Sequence, residues 1–285
     1  ALDLDITPNR PDGFSHYGVA REIALKTGRK LKEFSIKSAT KNAGDIHDIA
    51  TVKIDNKNDC PRYMGAVLEN VSVGSTPDWM VERLKAAGQR SINNIVDISN
   101  YVLLEMGHPT HIFDYDKIPS NTIGIRRVKN DKQITTLDEE KRKLSKQQLL
   151  ITDGKKPIAL AGIMGGLESA VTENTTTVFV ESAYFDPVTI RKGSKELGLL
   201  TDASRRFERG ADIKAAETAL WRVINLLTEL AGGTMVPGII DEYPGTVKVP
   251  RIVMRRSELD LFAGCDISDK KVTGILSGLG VTNNK

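Results

Sequence analysis

Five short runs of β-forming residues are packed into positions 122–185: TIGIRRV, KQITTL, QLLITD, KPIALAGIMGG and TVFVESAYF. Gly and Asp turns separate them, a pattern that predicts short strands in an antiparallel or mixed sheet. IATVKIDN and CPRYMGAVLENVSV, earlier in the chain, alternate in the same way and predict two more strands. This β-region has to be covered, and the sequence on either side is helical in period.

Upstream, Tyr17, Ala20, Ile23 and Ala24 share one face of a helix expected over 15–26 and closed by Gly28. KNAGDIHD reads as a loop. GSTPDWMVERLKAAGQR predicts a short helix with Thr76 as cap, Pro77 in its first turn and Gly88 as its stop. NNIVDISNYVLLEMG predicts another, broken by Gly107 and Pro109. Downstream, DPVTIRKGSKELGL and DASRRFERGADIKAAETALWRVINLLTELAGG return to helix, the second with Thr201 or Asp202 as cap. Ala216, Leu220, Val223, Leu227 and Leu230 form its apolar stripe. A strand and a Pro/Gly-punctuated boundary near 246–250 follow. Residues 249–285 read as the start of a small helical module, with Ser257 and Asp266 or Ser268 as candidate caps. The expected fold class is α+β, a central mixed or antiparallel β-region flanked by helices, with a partial helical module at the C-terminus.

Composition narrows the function classes. Apolar residues make up 40% of 285 positions, enough to bury a core. No run approaches the apolar length of a membrane span. Cys60 and Cys265 belong to no CxxC unit, which fits reduced thiols in a cytoplasmic protein. A net charge of +3 says little about nucleic acid, which calls for a clustered basic face. The chain opens within a structured-looking segment and stops after a helical pattern, so both ends read as cut.

Several constellations carry alternatives that local sequence leaves open. His108 and His111 flank Pro109 and Thr110, where Pro109 disfavours the helical spacing of a metal pair, so each is a core or surface histidine or a pocket residue. AGIMGG lacks the lysine of a phosphate loop and opens no helix. It is either a tight turn in which Gly162, Gly165 and Gly166 adopt conformations closed to other residues, or a wall where a ligand meets backbone. Glu181 follows Val178, Phe179 and Val180; alternation turns it to solvent, or it is an acceptor inside a pocket. Arg205, Arg206, Glu208, Arg209 and Asp212 offer ion pairs along a helix, with phosphate contacts as the alternative.

Taken together, DITPNRPDGFSHYGVAREIALKTGR, CPRYMGAVLENVSV, INNIVDISNYVLLEMGHPTHIFDYDKI, AGIMGG, VFVESAYFDP and TDASRRFERGAD occur in the order found in bacterial phenylalanyl-tRNA synthetase β subunits. The chain resembles that family along nearly its whole length. The resemblance implies a lead-in at 1–40, an editing module at 41–245, and the truncated start of a small helical domain at 249–285. It implies hydrolysis of tyrosine wrongly esterified to phenylalanine tRNA, with the synthetic active site on another chain. Glu181 then matches the reader of the tyrosine hydroxyl, Gly162 and Ala203 leave room for the ring, and Pro109 shapes the wall. His111, Asn100 and Thr201 match polar residues near the ester, with no obligatory general base because the neighbouring ribose hydroxyl can assist. His108 receives no role. The implied partners are tRNA(Phe), tyrosine as editing ligand, and the α subunit of an α2β2 heterotetramer, with no membrane. No metal or cofactor is implied for editing, whereas ATP and Mg²⁺ serve the whole ligase. The competing expectation is a non-catalytic tRNA-binding or scaffold portion that supports the α subunit.

Overall fold

The computed structural model describes residues 4–37, 45–244 and 251–282. Helix α1 (His16–Thr27) starts where Ser15 accepts from the Gly18 amide and stops at Gly28, whose φ of +67° suits glycine. A 3-10 turn at Ile46–Asp48 follows, then β1 (Thr51–Ile54) and β2 (Arg62–Glu69). Helices α2 (Asp78–Ala86) and α3 (Asn94–Met106) come next. β3 (Thr110–Asp114), β4 (Thr122–Arg127), β5 (Gln133–Thr135), β6 (Lys141–Lys143), β7 (Leu149–Thr152), β8 (Pro157–Leu160), β9 (Met164–Gly165) and β10 (Val178–Tyr184) fill the middle of the chain. Helices α4 (Pro187–Leu197), α5 (Asp202–Phe207) and α6 (Ala215–Ala231) return, then β11 (Thr234–Met235), β12 (Ile240–Glu242), α7 (Arg256–Ala263) and α8 (Asp269–Gly278).

Two sheets organise this order. One runs β1-β4-β7-β8-β9, with β1 parallel to β4 and the remaining pairs antiparallel. The other runs β11-β2-β10-β3, antiparallel throughout, with β12 also on β2. Alternate residues of the second sheet serve two cores. Tyr63, Val67, Phe113, Phe179 and Ala183 face the first sheet and pack against Ile123, Ile125, Leu150 and Leu160. Met64, Ala66, Leu68, Ile112, Val178 and Val180 face the helices and pack against Met80, Ile98, Val102, Leu220, Val223 and Leu227. The α+β expectation holds, and the stripe along α6 is buried as its period implies.

Four local expectations are corrected. Thr76 does not cap α2: its hydroxyl donates to Asp97 Oδ2 at 2.6 Å, and Pro77 occupies the cap position. The segment 202–233 is two helices, because α5 ends before a turn at 208–214 and α6 begins afresh. Ser257 lies inside α7, while α8 starts after Ser268, whose side chain makes no capping bond. β3 and β6 went unforeseen; Pro109 and the short polar run at 141–143 hide them from a local scan. Of KNAGDIHD, residues 41–44 lie outside the described residues, as does the boundary expected at 246–250.

Candidate active site

The site is built around one rung of the second sheet. Glu181 on β10 pairs with Gly65 on β2 on one side and with His111 on β3 on the other. Paired residues of an antiparallel ladder point to the same face, so Glu181 and His111 both enter the space between the two sheets. The solvent-facing expectation for Glu181 fails because β10 is covered on both faces, and Glu181 is 5% exposed. A carboxylate placed there is stabilised by whatever donor reaches it. Tyr63, two residues along from Gly65 and fully buried, donates its hydroxyl to Glu181 Oε2 at 2.8 Å.

Burial pushes the Glu181 carboxyl up to about 7, and the bond from Tyr63 pulls the other way without cancelling it. The Tyr63 phenol moves well above its ordinary range, from burial first and from the Glu181 charge second. The His111 imidazole is pushed down to about 4 by burial although part of the residue reaches solvent, so it is neutral at pH 7. Its ring stands edge-on to Phe113, with centroids 4.5 Å apart. Among the described residues its ring nitrogens form no hydrogen bond.

The glycines of AGIMGG differ in what they do. Gly162 has a φ of +66°, and a Cβ there would meet Phe185, Ile190 and Phe207 at 2.9–3.0 Å. It is barred to side chains by backbone and by packing alike. Gly165 and Gly166 keep ordinary φ values, which corrects the expectation for those two. A Cβ on Gly165 would lie 2.6 Å from His111 Cε1, and one on Gly166 would lie 2.4 Å from the Ile158 carbonyl oxygen. These two are glycines because other groups approach them closely.

Together these elements enclose a cavity of about 70 Å³ lined by Pro109, His111, Gly162, Glu181 and Ala203, with Met164, Gly165 and Phe207 among the remaining walls. Five of the seven residues singled out in the sequence therefore meet in one place. Thr201 and Asn100 are not on its lining. Thr201 caps α5 by accepting from the Ser204 amide, and its hydroxyl proton goes to the Ile163 carbonyl at 2.8 Å. It ties the glycine loop to α5, the helix that carries Ala203. Asn100 sits on α3 beside Ser99, whose hydroxyl donates to the Thr110 carbonyl of β3.

Tyr63 is the site residue that sequence reasoning missed. Its run reads only as a strand, and its partner lies 118 positions away. No group of three or more His, Cys, Asp or Glu among the described residues is placed to hold a metal ion. Both cysteines are free, Cys60 buried and Cys265 exposed. No helix among the described residues is long and apolar enough to cross a membrane.

A family model described as the B3/4 domain matches residues 59–232. The chain is 45% identical over 279 residues to a phenylalanine–tRNA ligase beta subunit of Carboxydothermus hydrogenoformans, covering 98% of this chain and 35% of that protein. It is 43% identical over 281 residues to the subunit of the same name in Geobacter sulfurreducens, covering 99% and 35%. The chain thus spans about a third of the length of the curated relatives it matches. A crystal structure of an N-terminal fragment of the phenylalanyl-tRNA synthetase beta-subunit from Pyrococcus horikoshii is similar at a TM-score of 0.43 and 17% identity. That match covers 95% of this chain and 74% of the other, and nothing about the site rests on it.

Proposed function

We infer the function from one premise: this chain belongs to the B3/4 domain family. On that footing we propose that the cavity around Glu181 is a proofreading site of a phenylalanine–tRNA ligase. It hydrolyses the ester of tyrosine on phenylalanine tRNA. The observation that carries this reading is a buried carboxylate with one oxygen already engaged. Glu181 Oε2 accepts from Tyr63, which leaves Oε1 for a phenol hydroxyl brought in by the ligand. At about 10–15 Å³ for each water-sized group, the cavity takes roughly five to seven of them, the scale of a phenol ring.

Selection follows from hydrogen-bond energetics. A synthetic pocket shaped for phenylalanine rejects a ring with one added hydroxyl only weakly, by about a hundredfold. In the second pocket the preference reverses. Phenylalanine would desolvate Glu181 and leave its free oxygen without a donor, at a cost of about 1–3 kcal/mol.

The hydrolysis itself is a water attack on the ester carbonyl carbon. The carbon–oxygen bond to the ribose breaks, giving free tyrosine and a tRNA with its hydroxyl restored. His111, across the rung from Glu181, is neutral but weakly basic, so it orients water or ribose and is a poor general base. The vicinal ribose hydroxyl can carry the proton. Thr201 acts one step back by holding the Ile163 carbonyl, and Asn100 lies on α3 next to Ser99, which bonds to β3.

In this reading 41–245 form the editing module, 1–40 lead into it, and 249–285 begin a helical domain. The α subunit, tRNA(Phe) and a cytoplasmic setting belong to the whole ligase, as do ATP and Mg²⁺ for its synthetic reaction. Deacylation of Tyr-tRNA(Phe) by the full-length protein, assembled with its partner subunit, tests the site. Glu181→Ala and His111→Ala should each slow it. Wild-type rates in both variants would remove the assignment and leave the scaffold reading.

A further inference from the structure

Among the described residues, Tyr63 is the only group that donates a hydrogen bond to the buried Glu181 carboxyl. The two are diagonal neighbours in the sheet: Glu181 pairs with Gly65, and Tyr63 lies two residues along on the same face. A Cβ on Gly65 would lie 2.2 Å from Phe179 Cζ. The Phe179 ring therefore fills the slot directly opposite Glu181, and the Tyr63 phenol is the polar group that reaches the carboxyl.

The other titratable groups around Glu181 supply no positive charge. His111 on β3 is neutral at pH 7. Cys60, buried just before β2, is pushed well above its ordinary range by burial first and by the Glu181 charge second. Its thiol proton goes to the Arg62 carbonyl at 3.6 Å. The Arg62 guanidinium belongs to the opposite face of β2 and is held there by Asp241. β7 and β8 bring Ile151, Ala159 and Leu160 to the cavity, and α5 brings Ala203 and Phe207, none of which titrates.

A carboxylate and a neutral carboxylic acid would select ligands differently from this position. The carboxylate only accepts, so a phenyl ring leaves its free oxygen charged and unpaired. The neutral acid carries its own donor and loses less against the same ring. The Tyr63 hydroxyl favours the first form, because a donor stabilises the anion. Its own proton stays on oxygen, since burial and the Glu181 charge push the phenol well above its ordinary range. We propose that Tyr63 is a positioning residue for tyrosine selectivity: by donating to Oε2 it keeps Glu181 an ionised acceptor with Oε1 free for the ligand. Tyr63 touches no substrate and acts through Glu181 alone. This inference rests on the proofreading reading of the cavity.

A double-mutant cycle in the full-length protein, assembled with its partner subunit, tests this. The quantity read is the ratio of kcat/KM for deacylation of Tyr-tRNA(Phe) to that of Phe-tRNA(Phe), followed from about pH 6 to about pH 8.5. In the wild type the ratio should rise with pH through about 7, as Glu181 ionises. Tyr63→Phe should lower the ratio about tenfold near neutral pH and move its rise to higher pH. In a Glu181→Gln background, where no charge is left to hold, the same change should alter the ratio by less than about twofold. An unaltered ratio and profile in Tyr63→Phe, or an equal loss in both backgrounds, overturns the proposal. A wild-type ratio that does not rise with pH overturns it even where Tyr63→Phe fails to assemble. Loss of deacylation in Glu181→Ala beside an unaltered Tyr63→Phe removes the role of Tyr63 alone. Wild-type deacylation of Tyr-tRNA(Phe) by Glu181→Ala removes the proofreading reading, and this proposal with it.

Discussion

Tyr63 and Glu181 meet by a 2.8 Å hydrogen bond between neighbouring strands, with Tyr63 fully buried and Glu181 nearly so. Tyr63→Phe removes the donor and leaves the carboxylate oxygen unsatisfied. Stability at pH 8 should fall by about 1–3 kcal/mol, measured by urea unfolding. The loss should shrink near pH 6, where Glu181 is protonated. With the lowering influence gone, the Glu181 titration should also move further up, which carboxyl NMR would follow.

The buried titratable groups set opposing pH slopes. Glu181 holds its proton to about 7 in the folded state against an ordinary 4.5, so it costs stability as pH rises through that window. His108 and His111 stay neutral down to about 4 against an ordinary 6.5, so they cost stability as pH falls through theirs. Between about pH 4.5 and 6.5 the two histidines outweigh Glu181, so together the three groups raise stability by about 1.4 kcal/mol per pH unit and level off near pH 7. Glu181→Gln should steepen that rise towards about 2.7 kcal/mol per pH unit, and His108→Asn should nearly cancel it. An unchanged pH profile in both variants would show that other groups dominate.

Two glycines in one loop should fail in different ways. Gly165→Ala drives a methyl into His111 while Leu137, the other near neighbour, is exposed and can yield. Its deacylation rate should drop by about ten- to a hundredfold with little change in the unfolding midpoint. Gly162→Ala forces a left-handed φ on alanine, at about 1–2 kcal/mol, and collides with three core side chains. It should unfold earlier, seen by calorimetry, and lose activity only as a consequence.

Thr201→Val removes both the cap of α5 and the bond to the Ile163 carbonyl. A loss of about 1–2 kcal/mol is expected. If Thr201 acts by holding the loop, Thr201→Ser should restore stability and deacylation together. Restored stability without restored rate would assign the threonine methyl a part in the site.

The parts of this molecule visible in sequence are those whose signals are local. Ser15 and Gly28 bracket α1, the stripe from Ala216 to Leu227 lies on one face of α6, and Thr201 caps α5. What escaped depends on pairing across long separations. Glu181 alternates as a surface residue should, yet the helices cover one face of β10 and the first sheet covers the other. Thr76 has the right chemistry to cap a helix, but Asp97 on α3 draws its hydroxyl away. Tyr63 carries no local sign of its bond to Glu181. The family likeness groups Pro109, His111, Gly162, Glu181 and Ala203 although no local signal links them, and all five line one cavity.

The two principal groups of the small pocket sit on strands of unequal standing. β10 is interior to its sheet, bonded to β2 and β3, whereas β3 is the terminal strand. Terminal strands open at a lower free energy than interior ones, so amide exchange should be faster at His111 than at Glu181. The Glu181 carboxylate would then hold its place while the His111 imidazole fluctuates in and out of register. In the proposed function, that layout would hold the ring rigidly and still let the ester end adjust to the strand that delivers it.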